Sequence, residues 1–358
     1  MFDIAPYFTD LIWVFFIGFM FFGQAFQMQI WLLEIKGYLK KLETTVVKEK
    51  AEMTKFFKDH GASPEQITKL DRMLDYAVIM PTSLDPAGVV GKMEHIMQTI
   101  DDRSRAEIAG ILGPSASSLD VSIGENLVEI ERGLNYIYKI VRHFYLSAKR
   151  SKSLPLVFSL KAVLGDIEKM ITAYEKAMGS IALGAPIGDG LGPLVASKLI
   201  GNAPREEVAK DTSMGLVNYK GRQLYVIKAK GPTAYVGKPQ LGLSKVLNEH
   251  SVDIVISVDA ALKLEGEKTG EIAEGVGIAI GGLGMEKFMM EEITAEKNIP
   301  SYAILVKQDL EEAITTMPKA VAEAADKVVA IIDRIITTNV KEGGSAVVLG
   351  IGNTLGVV

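Results

Sequence analysis

The chain has 358 residues, a formal net charge of −5, 48% hydrophobic residues and a mean hydropathy of +0.21. It contains no cysteine and only four histidines, which excludes disulfides, thiol catalysis and thiolate metal sites and leaves little for a histidine-rich metal centre. Lysine and arginine are scattered, so no basic footprint points to nucleic acid.

The first predicted element is a membrane span. "LIWVFFIGFMFFG" is wholly apolar, and the hydrophobic character continues to Leu33 despite Gln24, Gln27 and Gln29. A helix over residues 11–33 would be about 34 Å long, enough to cross a hydrocarbon core of about 30 Å. Asp3 and Asp10 precede the run, whereas Lys36, Lys40, Lys41, Lys48 and Lys50 follow it. The positive-inside rule then directs the main body to the cytoplasm, as a single-pass protein of the cell membrane in contact with lipid. No basic residue precedes the run, unlike a cleaved signal peptide. The alternative reading is a buried core helix. The glutamines suit contact with a neighbouring helix in a homo-oligomer.

Residues 35–180 read as helical. "SPEQITKLDRMLDYAVIM" opens with Ser63 as N-cap, Pro64 at the first position and Gln66 at capping-box spacing, and Pro81 ends it. A helix from Ser122 carries Leu127, Ile130, Leu134, Ile137 and Val141 at helical spacing, and another runs from Leu154 to about Met178. Apolar positions here read as core or oligomer interface, and the lone histidines His95 and His143 as structural.

Residues 181–358 change character. Glycine becomes frequent, and β-like runs appear: "GLVNY" and "RQLYVIKA" around Lys220-Gly221, then "DIVISVDA", "SYAILVK" and "SAVVLGI". Helical patterns at about 241–250, 285–297 and 309–338 lie between the later runs. The class is therefore α/β: an amino-terminal transmembrane helix (1–34), a helical cytoplasmic region (35–180) and a mostly parallel sheet domain (181–358) with an antiparallel hairpin at one edge.

Two acids fall where chemistry is expected. Asp259 closes the strand "DIVISVDA", at the carboxyl edge of the sheet. Asp189 lies in "LGAPIGDGLGPLVASKL", where Gly188 and Gly190 let the backbone approach a ligand before a short helix at about Pro193. Two carboxylates on neighbouring edge loops can share a proton and activate water. The alternative is that Asp189 caps a turn and Asp259 caps the element after its strand.

"GIGNTL" and "IGDGLGP" resemble two pieces of the opening motif of the hydrogenase maturation peptidases and of the spore germination protease that shares their fold. "VISVDAA" is similar to the later strand that ends in an Asp-Ala pair in those families. The two opening pieces stand in reversed order here, at opposite ends of the glycine-rich half, which implies a circularly permuted phosphorylase/peptidase-like domain. The resemblance implies a hydrolase, peptidase-like, in which Asp189 and Asp259 polarise water directly or through a divalent metal. Gly190, Gly350, Gly352 and Asn353 would bind substrate or oxyanion, with Glu274 (or Glu271) a third polar group from "EIAEGVGIAIGG". The chain departs from the nickel-sensing pattern: no histidine follows His250, which an extended path puts about 30 Å from Asp259. The rival reading is a non-catalytic oligomeric scaffold or ligand-binding protein that keeps the fold. As a whole the chain is similar to an archaeal membrane-protein family with a domain-of-unknown-function label, through "SLDPAGVVGK", "PIGDGLGP" and "GVGIAIGGLGMEK".

Overall fold

The computed structural model describes residues 5–76, 88–282 and 284–358. Helix α1 (Ala5–Asp59) is continuous through the apolar run and beyond it. The side chains of residues 5–12, 14, 15, 17 and 19–22 lie outside those described, and with them most of the apolar centre of the expected span. Among the described residues, no helix is long and apolar enough to cross a membrane. Helix α2 (Pro64–Met73) has the expected capping box, Ser63 with Gln66. The expected stop at Pro81 and most of "SLDPAGVVGK" fall outside the described residues. Helices α3 (Val89–Leu112), α4 (Ser118–Ser151) and α5 (Leu154–Ala182) follow.

The chain forms two compact units, and their cuts fall inside helices. One comprises Met1–Glu52 with Glu131–Thr172. Its core takes Met28, Leu32, Ile35 and Leu42 from α1, Leu134 and Val141 from α4, and Val157, Leu160 and Leu164 from α5, each set at helical spacing. The other unit comprises Met53–Ile130 with Ala173–Val358, so α2, α3 and α4 as far as Ile130 belong with the sheet.

That sheet has seven strands: β1 (Arg205–Ala209), β2 (Thr212–Tyr219), β3 (Arg222–Ala229), β4 (Ile254–Leu262), β5 (Ile272–Val276), β6 (Ser301–Gln308) and β7 (Ser345–Gly350). Their order is β1-β2-β3-β7-β4-β6-β5. The centre, β3-β7-β4-β6, is parallel, while β1, β2 and β5 join antiparallel. The last strand in sequence is thus central in space, paired with β4 from Ile254↔Ala346 to Val258↔Gly350. All six residues of β7 are buried, which is why it reads as an unbroken apolar run rather than an alternating one.

Strand alternation sorts the core into two layers. Leu224, Val226, Ile254, Ile256, Val258, Ile304, Val306 and Val348 pack on one side with α6 (Leu191–Ile200) and α10 (Lys319–Asn339). Tyr225, Ile227, Val255, Val347 and Leu349 pack on the other with α7 (Pro239–Glu249) and α8 (Met285–Glu296). The single helix expected over 309–338 is two, α9 (Leu310–Ile314) and α10, because Pro318 holds the backbone extended between them. Strands β1 and β5 were not expected; both are short, largely exposed edge strands without an apolar pattern.

Candidate functional site

The site lies where β7 ends beside β4; Asp259 does not close its strand as expected, because pairing with β6 carries β4 on to Leu262. Val255 of β4 packs on the α7/α8 side, so alternation sends Ser257 and Asp259 the same way. The glycine-rich segment after β5 runs along that side. Its Ala279 N–H donates to Ser257 Oγ at 2.8 Å and its Gly281 N–H to Asp259 Oδ2 at 3.0 Å. The matching two-residue steps lay this segment extended beside β4. The Ala260 N–H donates to Asp259 Oδ1 at 2.8 Å, and the residue is only 6% exposed.

Asp189 is the middle residue of the 3-10 turn Gly188–Gly190, which leads into α6. A Cβ on Gly188 would overlap Gln308 Oε1 and the Glu312 carbonyl, and one on Gly190 would press on the Asn353 carbonyl. The turn therefore crosses from the end of β6 to the end of β7, over β4 between them. Asp189 Oδ2 accepts the Asn353 N–H at 2.8 Å. The residue keeps some surface, although protein atoms crowd around its carboxyl.

Burial raises the Asp189 carboxyl above its ordinary range, against the opposing Asn353 N–H. Asp259 is pushed up to about 7, first by burial and then by the charge of Asp189, with the Ala260 and Gly281 N–H groups opposing. Among the described residues neither acid has a basic partner. Two carboxyls within electrostatic range titrate as a pair, because the charge of each opposes the ionisation of the other. Such a pair offers one group to accept a proton and one to donate it.

The other expected residues divide. Gly350 and Gly352 do not form an open pocket floor. A Cβ on Gly350 would overlap the Gly192 carbonyl, and Gly352, at φ +132°, packs its Cα on the Asp189 carbonyl. Both serve the close seating of α6 on β7. The Asn353 side chain is occupied within the protein: Nδ2 donates to the Ala234 carbonyl at 3.1 Å, and Oδ1 accepts the Leu355 N–H at 2.8 Å. The Ile351 N–H donates to the Val258 carbonyl, so the amides of both 351 and 353 are engaged. Gly190 stays beside Asp189 in the turn. Glu274 is not at the site. It registers with Ile304, which packs in the α6/α10 layer, and it ion-pairs with Arg334 of α10, on the face opposite Asp259. Glu271 closes a local turn by accepting the Lys268 N–H. His250 stacks on Tyr225 just ahead of β4, at the far end of that strand from Asp259. Among the described residues, no three of His, Cys, Asp and Glu gather as a metal site, so a divalent ion would find two carboxylates here.

Three features were missed. Gln308 ends β6 in the inward series Ile304, Val306, Gln308; it is 1% exposed, and neither amide atom has a hydrogen-bond partner among the described residues. Lys228 ends the series Leu224, Val226, Lys228 and is equally buried, with Nζ on the Ala229 carbonyl at 3.1 Å. Burial, helped by the charge of Arg205, lowers this amine to about 8. A polar residue at an inward strand position was a legible signal for both. The third feature is a brace. Ser122 and Asn126 of α4 hold the backbone of Ala234, and Glu125 accepts the Tyr235 hydroxyl at 2.7 Å. Arg105 of α3 stacks on the Tyr235 ring and pairs with Asp211 at 2.8 Å. Asn353 and Thr354 bond to this same loop, so α3 and α4 support the turn that carries the Asn353 N–H. No local pattern announces it, because its partners lie more than a hundred residues apart. A cavity of about 410 Å³ lies elsewhere, between Arg72, Tyr76, Arg103 and Glu107.

No curated protein and no solved structure matches the chain. Residues 10–184 match a protein of unknown function (DUF1512) N-terminal domain, and residues 187–358 match a domain of unknown function (DUF1512) C-terminal. The chain therefore belongs to the DUF1512 family, carrying its two domains in succession.

Proposed function

We propose that the protein is a membrane-anchored hydrolase of amide bonds, peptide bonds foremost, with Asp189 and Asp259 as its acid–base pair. The observation that carries the reading is the coupling of two carboxyls that lack a basic partner among the described residues, with Asp259 raised to about 7. The ionised member takes a proton from water as the water oxygen bonds to the carbonyl carbon. The protonated member gives its proton to the departing nitrogen as the C–N bond breaks. Water and amide thus become acid and amine, and the pair again holds one proton. The packing of the 188–190 turn on the 350–353 turn supports a permuted peptidase-like arrangement, since those two pieces form one stretch in the peptidase motif.

Anchorage rests on the apolar run of α1 and the exposure there of Trp13, Phe16, Phe26 and Leu33. The lysines that follow orient the body to the cytoplasm, and the glutamines between favour a homo-oligomer. Protease protection of sealed vesicles tests this: the body should be cut only from the cytoplasmic side.

A second reading, a non-catalytic scaffold, is favoured by one observation. The Asn353 side chain and the amides of 351 and 353 are consumed inside the protein. A panel of fluorogenic peptide amides separates the two. The enzyme reading expects turnover by the purified full chain that D189N and D259N each abolish while remaining folded. The scaffold reading expects no turnover by any of the three.

A further inference from the structure

We infer that Gln308 is the positioning residue that holds the reacting water against Asp189, an inference that rests on the acid-pair reading above. Gln308 is 1% exposed, and both its amide nitrogen and its amide oxygen lack a partner among the described residues. A buried carboxamide left in that state is costly, and strands seldom end an apolar inward series on one without a use for it. Its place is specific. The side chain reaches from the end of β6 to the turn Gly188–Gly190, where Oε1 sits against the Cα of Gly188, one residue from the acid. No side chain larger than hydrogen is possible at position 188, because a Cβ would overlap both Oε1 and the Glu312 carbonyl. Asp189 spends one oxygen on the Asn353 N–H, and its other oxygen takes no protein hydrogen bond among the described residues.

Water is the occupant that fits. The amide has a donor and an acceptor unmet, and a single neutral molecule that both accepts and donates can serve either and still give a proton to the carboxylate. A metal ion would use only the oxygen and leave the nitrogen unmet. Gln308 would fix the water's lone pairs and leave the proton transfers to the acids, so its loss should lower turnover without moving the pair's titration. Its side chain meets the Gly188–Gly190 turn from the α6/α10 side of the sheet, opposite the Gly281 N–H that holds Asp259.

The test uses the full-length protein with Gln308→Met, which keeps the side chain's length and removes both polar atoms, and Gln308→Glu. In fluorogenic peptide hydrolysis, Q308M should lower kcat about 100-fold at nearly constant KM, the cost of a misplaced nucleophile. Its pH profile should keep the wild-type shape. Q308E should shift the profile upward, because a third carboxylate beside the pair raises its titration. Unchanged kcat in Q308M, or an unshifted profile in Q308E, overturns the inference while leaving the acid pair standing. Should the wild-type chain hydrolyse no peptide, the acid-pair reading fails separately and melting decides the remainder. An amide met by bound water gives Q308M a melting temperature at or below wild type. A rise of about 2–4 °C or more means that the amide was an orphan and the inference is wrong.

Discussion

The backbone N–H of Asn353 donates to the Asp189 carboxylate at 2.8 Å, joining residues 164 apart in the chain. Asn353 is held there because β7 is a central strand, hydrogen-bonded to β3 on one side and β4 on the other. Deleting residues 345–358 should therefore abolish cooperative unfolding of the sheet unit, as it strips twelve buried positions, six of them in β7, and separates β3 from β4. Near-ultraviolet circular dichroism and limited proteolysis check this; a truncated protein with an unchanged melting curve would contradict the central placement.

The pH dependence of Asp259 has a definite sign. Its folded value, about 7, lies above the ordinary 3.8, so the folded state binds the proton more tightly. The stability it contributes is fully present below about pH 4 and is lost as pH rises through 7, at about 1.4 kcal/mol for each pH unit crossed. Asp259→Asn removes that titration. Urea unfolding at intervals from about pH 4 to about pH 8 should show the variant gaining steadily on wild type across the window. A constant difference would mean that the carboxyl is not raised.

Glu131 offers an independent case in the helical unit. It is fully buried, neither carboxyl oxygen has a hydrogen-bond partner among the described residues, and burial raises it to about 8, with Lys50 opposing and Glu49 adding. The sign is the same: stability falls as pH rises from about 4.5 through 8. Glu131→Gln should melt higher than wild type at about pH 9, with a smaller difference at about pH 5. Scanning calorimetry at the two values decides it.

Glycine substitutions should split by backbone contact. Gly352→Ala combines a φ of +132° with overlap on the Asp189 carbonyl, and the conformational part alone costs about 1–3 kcal/mol. Gly165, within α5, has nothing near its missing Cβ, so Gly165→Ala should stabilise by about 0.5–1 kcal/mol. Denaturant midpoints compare the two; equal effects would refute the close approach of the two turns.

Much of the architecture was written in local pattern. Strands β3, β4, β6 and β7 declare themselves because buried parallel strands need continuous apolar runs, and α2 because Ser63, Pro64 and Gln66 cap it within four residues. The two acids were likewise legible, one directly after an apolar run and one between glycines, since both are consequences of short stretches of chain. Edge strands β1 and β5 were not, because exposed pairing leaves no apolar signature.

What tertiary structure alone decided is which groups meet and which way each side chain faces. Glu274 and Asp259 looked like members of one cluster, yet strand alternation puts them on opposite faces of the sheet. Gly350 and Gly352 looked like a ligand floor, yet they are the seat of α6, and Asn353 spends its side chain on Ala234 and Leu355. The coupling of Asp189 to Asp259 and the unmet amide of Gln308 depend on a turn and two strands brought together from distant parts of the chain. Sequence determines the period and polarity of each element by itself; desolvation and charge coupling exist only between groups that folding places side by side.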